Sequence, residues 1–276
     1  MTGRLLAGAV AAAGSAGFMA WGRDRPRVAG LSWVRENHAG ESVTLWEGAA
    51  YAQGATVALI VGGSPPGALA VLGSAVFGAM DDHLGDSSSK GLKGHLGALA
   101  RGRVTTGAVK ILGIGATGLA AAILVDRRLG GVHGDRRLDA PPSWAATLTG
   151  AALVAAAANL ANLLDLRPGR ALKAVVVVGV PLLPGAGGAT SAAAVGAALG
   201  VIAPDLRGES MLGDTGANAA GAILGVAAVE RLGGHGRLAA LLGLTALTLA
   251  SERVSFTRVI ESTPLLREVD RWGRRR

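Results

Sequence analysis

Cysteine is absent from this chain, which excludes a disulfide framework, a zinc–thiolate site and a cysteine nucleophile. Charge is scarce as well. Only 17% of residues are Asp, Glu, Lys or Arg, where a soluble domain carries about 25%. Aromatic residues make up 3%. What fills the space is apolar and small: half of the 276 residues are hydrophobic, 44 are glycine, and the mean hydropathy is +0.42. Such a chain is too apolar to be disordered and too poor in charge for an ordinary soluble fold. Its formal net charge is +8. In a soluble protein that would point to nucleic acid, in a membrane protein to cationic cytoplasmic loops. Where the charges sit decides between the two.

Apolar runs at 5–21, 43–62, 66–80, 104–125, 142–163, 171–187, 188–204, 215–230 and 237–251 alternate with short charged segments. Several fall short of the ~20 residues that span a bilayer, but uncharged flanks extend most of them. Their small residues permit close helix–helix approach. A soluble Ala-rich bundle is disfavoured, because nine such runs leave too little polar surface to cover it. The pattern predicts an all-α, polytopic membrane helix bundle of about nine transmembrane helices (range 8–10). Residues 1–251 form the bundle with its active-site loops, and 252–276 form a basic tail. The end of that tail, Arg271-Trp272-Gly273-Arg274-Arg275-Arg276, reads as an interfacial anchor on anionic lipid.

The distribution of Lys and Arg sets the orientation. Before the first run stands only Arg4; after it come Arg23, Arg25, Arg27 and Arg35. This favours an uncleaved helix with its N-terminus outside over a signal peptide. With nine crossings, the inside segments 22–42, 81–103, 164–170 with Lys173, 205–214 and 252–276 hold 19 basic residues. The outside segments hold 7, and Lys110 falls within a run. The expected C-terminus is therefore cytoplasmic, and the expected location is the plasma membrane.

Three acidic clusters then meet on the cytoplasmic face. They are Asp81-Asp82-His83-Leu84-Gly85-Asp86, Asn159-Leu160-Ala161-Asn162-Leu163-Leu164-Asp165 and Gly213-Asp214-Thr215-Gly216. Adjacent carboxylates at a membrane edge are costly without a counter-charge. A divalent cation would relieve that cost, and an all-oxygen ligand set suits Mg²⁺, with Mn²⁺ as a second candidate. Asn159, Asn162 and Asp165, spaced by three, form one polar stripe at a helix end. Plainer alternatives stand beside these readings: interhelical hydrogen bonds for the two Asn, a solvated loop start for Asp81 and Asp82, and a helix N-cap for Asp214. Lys90, Lys93, Arg101 and Arg103 follow the first cluster, and Arg167, Arg170 and Lys173 the second. Acidic metal ligands beside several cations suit a phosphate-rich substrate, although positive-inside bias accounts for each cation singly.

At these residues the sequence resembles the polyprenyl-phosphate N-acetylhexosamine-1-phosphate transferase superfamily. Asp81-Asp82 with Lys90-Gly91-Leu92 is similar to its Asp-Asp loop. Asn159-x-x-Asn162-x-x-Asp165 resembles its Asn-x-x-Asn-x-x-Asp-Gly motif, and Met211-Leu212-Gly213-Asp214-Thr215-Gly216 its Met-Gly-Asp-Thr-Gly motif. The resemblance runs from about residue 45 to the C-terminus. It implies Mg²⁺-dependent transfer of a sugar-1-phosphate from a UDP-sugar to polyprenyl phosphate, in cell-wall or envelope glycan synthesis. By carry-over, Asn162 and Asp214 would ligate the metal. Asp81 and Asp82 would orient or deprotonate the lipid phosphate, and Asp165 would sit by the nucleotide. Lys90, Lys93, Asn159 and Arg167 are the expected substrate-binding residues. The implied partners are polyprenyl phosphate, a nucleotide sugar and the membrane, with a homodimer as a further arrangement and no nucleic acid.

The sequence departs from that pattern in places. Asp165-Leu166-Arg167-Pro168-Gly169 puts Pro168 where the family has a second Asp or Asn that helps to read uracil. The tail 252–276 has no His, Gly97 stands where a further Lys is common, and a tenth helix is missing. A non-catalytic paralogue that binds polyprenyl phosphate or an envelope-assembly partner is therefore the second expectation. A transporter would place its acids near mid-helix rather than at helix ends.

Overall fold

The computed structural model describes residues 2–37, 40–85, 97, 101–102, 105–132 and 143–274. Among these residues the chain is carried by eleven helices: α1 Thr2–Gly22, α2 Trp46–Val61, α3 Pro65–Leu84, α4 Thr106–Val132, α5 Trp144–Leu164, α6 Arg170–Leu182, α7 Gly188–Leu206, α8 Gly213–Arg231, α9 Gly234–Ser251, α10 Phe256–Ser262 and α11 Pro264–Arg271. Each of the nine apolar runs coincides with one of α1–α9. Four helical stretches are long and apolar enough to cross a membrane: Thr2–Gly22, Thr106–Leu129, Trp144–Leu164 and Gly188–Leu206. A fifth is reached if α9 and α10, bent by 94° at their junction, count as one span. Helices α2 and α6, at 16 and 13 residues, are short of the ~20 residues a full crossing needs. This helical fold, with four or five apolar candidate spans, fits a helical membrane protein.

Local chemistry explains where the helices begin and turn. Pro65 and Pro264 stand in the first turns of α3 and α11, where a missing N–H costs nothing. The Ser143 hydroxyl accepts from Ala146 N at the start of α5, a side-chain N-cap. Between α6 and α7 the chain reverses at Gly185 and Gly187, both at positive φ.

Helix α8 is the axis of the bundle, buried along nearly its whole length, and it packs against α2 through α7. Two apolar clusters meet on it. One joins α1, α2, α3, α6 and α7 through Ala11, Ala50, Val71, Leu172 and Ala197. The other joins α3, α4 and α5 through Ala70, Ile114, Leu153 and Val154. Alanine and glycine dominate these contacts because backbones approach closely without bulky side chains. Gly78 of α3 is the clearest case: a Cβ there would collide with the Asp214 carbonyl. Its absence lets the last turn of α3, with Asp81 and Asp82, lie against the first turn of α8.

Polar side chains tie successive helices together at both ends. At the end away from the acidic clusters, Asp126 and Arg237 form a buried ion pair at 2.8 Å, and Thr147 Oγ1 donates to Asp126 Oδ2 at 2.7 Å. There too the Thr190 hydroxyl donates to Glu230 and lies 3.2 Å from that of Ser64. At the opposite end lie two small antiparallel ribbons, β1 Arg27–Val28 with β2 Leu31–Ser32 and β3 Val34–Glu36 with β4 Ser42–Thr44. Composition gave no sign of these strands, each two or three residues long. They are held by stacking of Trp33 on Trp46, 4.1 Å between ring centroids, and by Trp46 Nε1 donating to the Arg25 carbonyl.

Candidate functional site

The acidic residues of the three motif segments come together around the N-terminus of α8. A helix start leaves its first N–H groups without intrahelical acceptors. Here carboxylates from two other segments supply them. Asp82 Oδ1 accepts from Asp214 N at 3.0 Å, and its Oδ2 accepts from Thr215 N at 2.8 Å and Thr215 Oγ1 at 2.7 Å. Asp165 Oδ2 accepts from Gly213 N at 2.9 Å. Negative charge at this point also complements the helix dipole. Gly213 takes φ +60°, and a side chain there would crowd Asp82. The Gly-Asp-Thr-Gly segment thus presents its backbone to two carboxylates.

Asp214 is not the cap of its own helix. Its Oδ2 lies 2.6 Å from Lys110 Nζ, and the same ammonium lies 2.6 Å from Asp81 Oδ2. These three side chains are 17–23% exposed, so the cluster is largely desolvated but open on one side. Asp82 has its own cation, Arg35 of β3, at 3.1 Å from Oδ1.

Beside the cluster lies a cleft of about 220 Å³, lined in part by Asp165, Arg167, Pro168, Asp205, Ser210 and Met211. Asp205, near the end of α7, accepts from Gly169 N at 2.9 Å. Glu47, fully buried on α2, accepts from the Ser210 hydroxyl. Burial, then the negative charge of Asp205, pushes the Asp165 carboxyl well above the usual carboxylate range, against the pull of the Gly213 N–H.

Not every expected residue joins the site. Asn159 is exposed on α5, and its amide donates to Thr248 Oγ1 of α9 at 3.4 Å. It makes the interhelical bond that was its plainer alternative, away from the carboxylates. Asn162 is half-buried on the last turn of α5. Arg167 edges the cleft and reaches Glu261 of the tail at 3.9 Å. Lys90 and Lys93 lie outside the described residues. The tail is more than a surface anchor. Asp270 is buried between Arg170, at 2.8 Å, and Arg274, at 2.7 Å, while Arg274 Nε donates to the Pro168 carbonyl on the rim of the cleft.

Of the expected Mg²⁺ ligands, Asp214 stands at the N-terminus of α8 and Asn162 on the last turn of α5. The Asp214 carboxylate already meets an ammonium. Among the described residues no group of three or more His, Cys, Asp or Glu side chains is placed to hold a metal.

Sequence reasoning passed over four residues here: Lys110, Arg35, Glu47 and Asp205. Lys110 and Glu47 carried a legible signal. Each is the single charged residue within its apolar run, 104–125 and 43–62, and a charge inside an apolar helix is costly enough to mark a bundle-facing, functional position. No known protein family, curated protein or solved structure matches the chain.

Proposed function

We propose that this protein is an integral-membrane phosphoglycosyl transferase that moves a sugar-1-phosphate from a UDP-sugar to polyprenyl phosphate. One observation carries the reading: carboxylates from three segments separated by up to 133 positions, Asp81-Asp82, Asp165 and Asp214, gather at one helix N-terminus. In the proposed reaction an oxygen of polyprenyl phosphate attacks the sugar-side phosphorus. A new P–O bond forms, the pyrophosphate bond breaks, and UMP leaves with the electron pair. Lys110 and Arg35 supply positive charge near the reacting phosphates. The cleft by Asp165 and Arg167 takes the nucleotide, and Lys90 and Lys93 belong to the lipid-phosphate side. In the same reading the bundle lies in the plasma membrane, with the N-terminus outside and the acidic end in the cytoplasm. The alternation of 19 inside to 7 outside basic residues supports that orientation.

A second reading has its own support. Asp82 and Asp165 are committed to backbone N–H groups, and Pro168 offers no side-chain donor or acceptor to a base. Both features suit a non-catalytic relative that binds polyprenyl phosphate without turnover.

The deciding experiment incubates purified protein with labelled UDP-sugars and polyprenyl phosphate, with and without Mg²⁺, and measures UMP release. UMP formed only when the lipid phosphate is present supports transfer. Lipid binding without UMP supports the second reading.

A further inference from the structure

The cation between Asp81 and Asp214 belongs to the chain itself. We propose that Lys110 is the resident counter-ion of the acidic site, standing where the resemblance would put a divalent metal, and that ammonium and metal exclude one another there.

Lys110 sits in the second turn of α4, and its stem runs toward the end of α3. The Nζ is 2.6 Å from Asp81 Oδ2 and 2.6 Å from Asp214 Oδ2. An ammonium has three N–H donors and no acceptor; two are taken by these carboxylates. A metal bound to Asp214 would stand about 2.0–2.1 Å from its oxygen. That places it within a few ångströms of a positive charge on the same carboxylate, in a largely desolvated setting where repulsion is poorly screened. The neighbouring carboxylates offer no substitute. Asp82 is spent on Arg35, two N–H groups and a hydroxyl, and Asp165 accepts from Gly213 N. A lysine inside an otherwise apolar helical run is expensive unless such partners surround it. The pairing thus accounts both for the lysine and for two adjacent acids.

The test uses Mn²⁺ alone, without substrates, so its outcome does not depend on whether the protein is a transferase. Mn²⁺ binding is followed by electron paramagnetic resonance on the detergent-solubilised full chain as wild type, Lys110→Met, Asp214→Asn and the double variant Lys110→Met/Asp214→Asn. Wild type and Asp214→Asn should bind Mn²⁺ equally weakly. Lys110→Met should bind at least about tenfold more tightly, and adding Asp214→Asn should remove that gain. Wild-type binding that is lost in Asp214→Asn would overturn the proposal, as would Lys110→Met binding no better than wild type. If Lys110→Met does not fold, the wild-type and Asp214→Asn pair still decides: equal binding supports the resident lysine, and a loss in Asp214→Asn refutes it.

Discussion

Asp82 and Thr215 are joined twice, through the Thr215 N–H at 2.8 Å and its hydroxyl at 2.7 Å, both to Asp82 Oδ2. The carboxylate at the end of α3 therefore acts as the N-cap of α8 in trans. Losing an N-cap costs ~0.5–2 kcal/mol. Asp82→Ala also leaves Arg35 without its partner, so its cost should lie at the upper end of that range. Thr215→Val, which removes only the hydroxyl, should cost less. In thermal melts the double variant should be less destabilised than the sum of the singles, because one carboxylate serves both contacts. Strict additivity would show that the cap is not shared.

A larger effect is expected at the far end of the bundle. Asp126 and Arg237 are each about 6% exposed and 2.8 Å apart. Removing one member of a buried pair leaves the other uncompensated and typically costs ~3–5 kcal/mol. Asp126→Ala should therefore lower the melting temperature far more than Arg237→Met combined with Asp126→Leu, in which no charge is stranded. Equal losses from the single and double variants would argue that the pair contributes nothing specific.

How much of this was legible beforehand follows from what sequence periodicity encodes. Nine apolar runs became nine helices, and the turn at Gly185 and Gly187 falls at the boundary between the runs 171–187 and 188–204. The gathering of Asp82, Asp165 and Asp214 was legible too, since alternating helices bring those segments to one end. The pairings were not. Lys110 meets Asp81 and Asp214 only because Gly78 lets α3 press against α8. Asp126 and Arg237 stand far apart in the chain, and the fold puts them 2.8 Å from one another. Asp270, in a tail read as a lipid anchor, turned out to be held by Arg170, 100 positions away. Contacts of that span depend on how helices pack, which a local pattern does not record.

Asp165 and Asp270 should respond to pH in opposite ways. Burial, then Asp205, raises the Asp165 pKa. Its contribution to stability is complete below the unfolded value of ~3.9 and is lost as pH rises through the raised native value. Asp165→Asn keeps an acceptor for Gly213 N and removes the charge, so it should melt higher than wild type at neutral pH. The difference should close as the pH is lowered toward 4. At Asp270 burial alone would raise the pKa, but Arg170 and Arg274 outweigh it and hold it below the ordinary value. That stabilisation is present above ~3.9 and is lost as pH falls through the depressed native value. Asp270→Asn should therefore be less stable than wild type at neutral pH and converge with it in acid. An Asp165→Asn variant less stable than wild type at pH 7 would contradict the buried-charge account.

The tail helix α11 has its polarity inside out for a soluble protein. Asp270 is buried against Arg170 and Lys173, whose Nζ donates to the Asp270 carbonyl at 2.6 Å. Leu265 and Trp272, on the far side of the helix, are 74% and 75% exposed. An apolar outer face beside Arg267 and Arg271 suits the boundary between acyl chains and anionic headgroups. In liposomes of brominated lipid, a variant keeping Trp272 as its only tryptophan should be quenched, and more strongly with anionic than with zwitterionic headgroups. Asp270→Ala removes the carboxylate that holds Arg170 and Arg274. It should leave the tail more open to trypsin at Arg258 and Arg267 and weaken the quenching, since the helix is no longer held in register at the bundle end. Quenching unchanged by headgroup charge would remove the anionic component. Trp272 fully accessible to a water-soluble quencher would show that the outer face does not meet lipid at all.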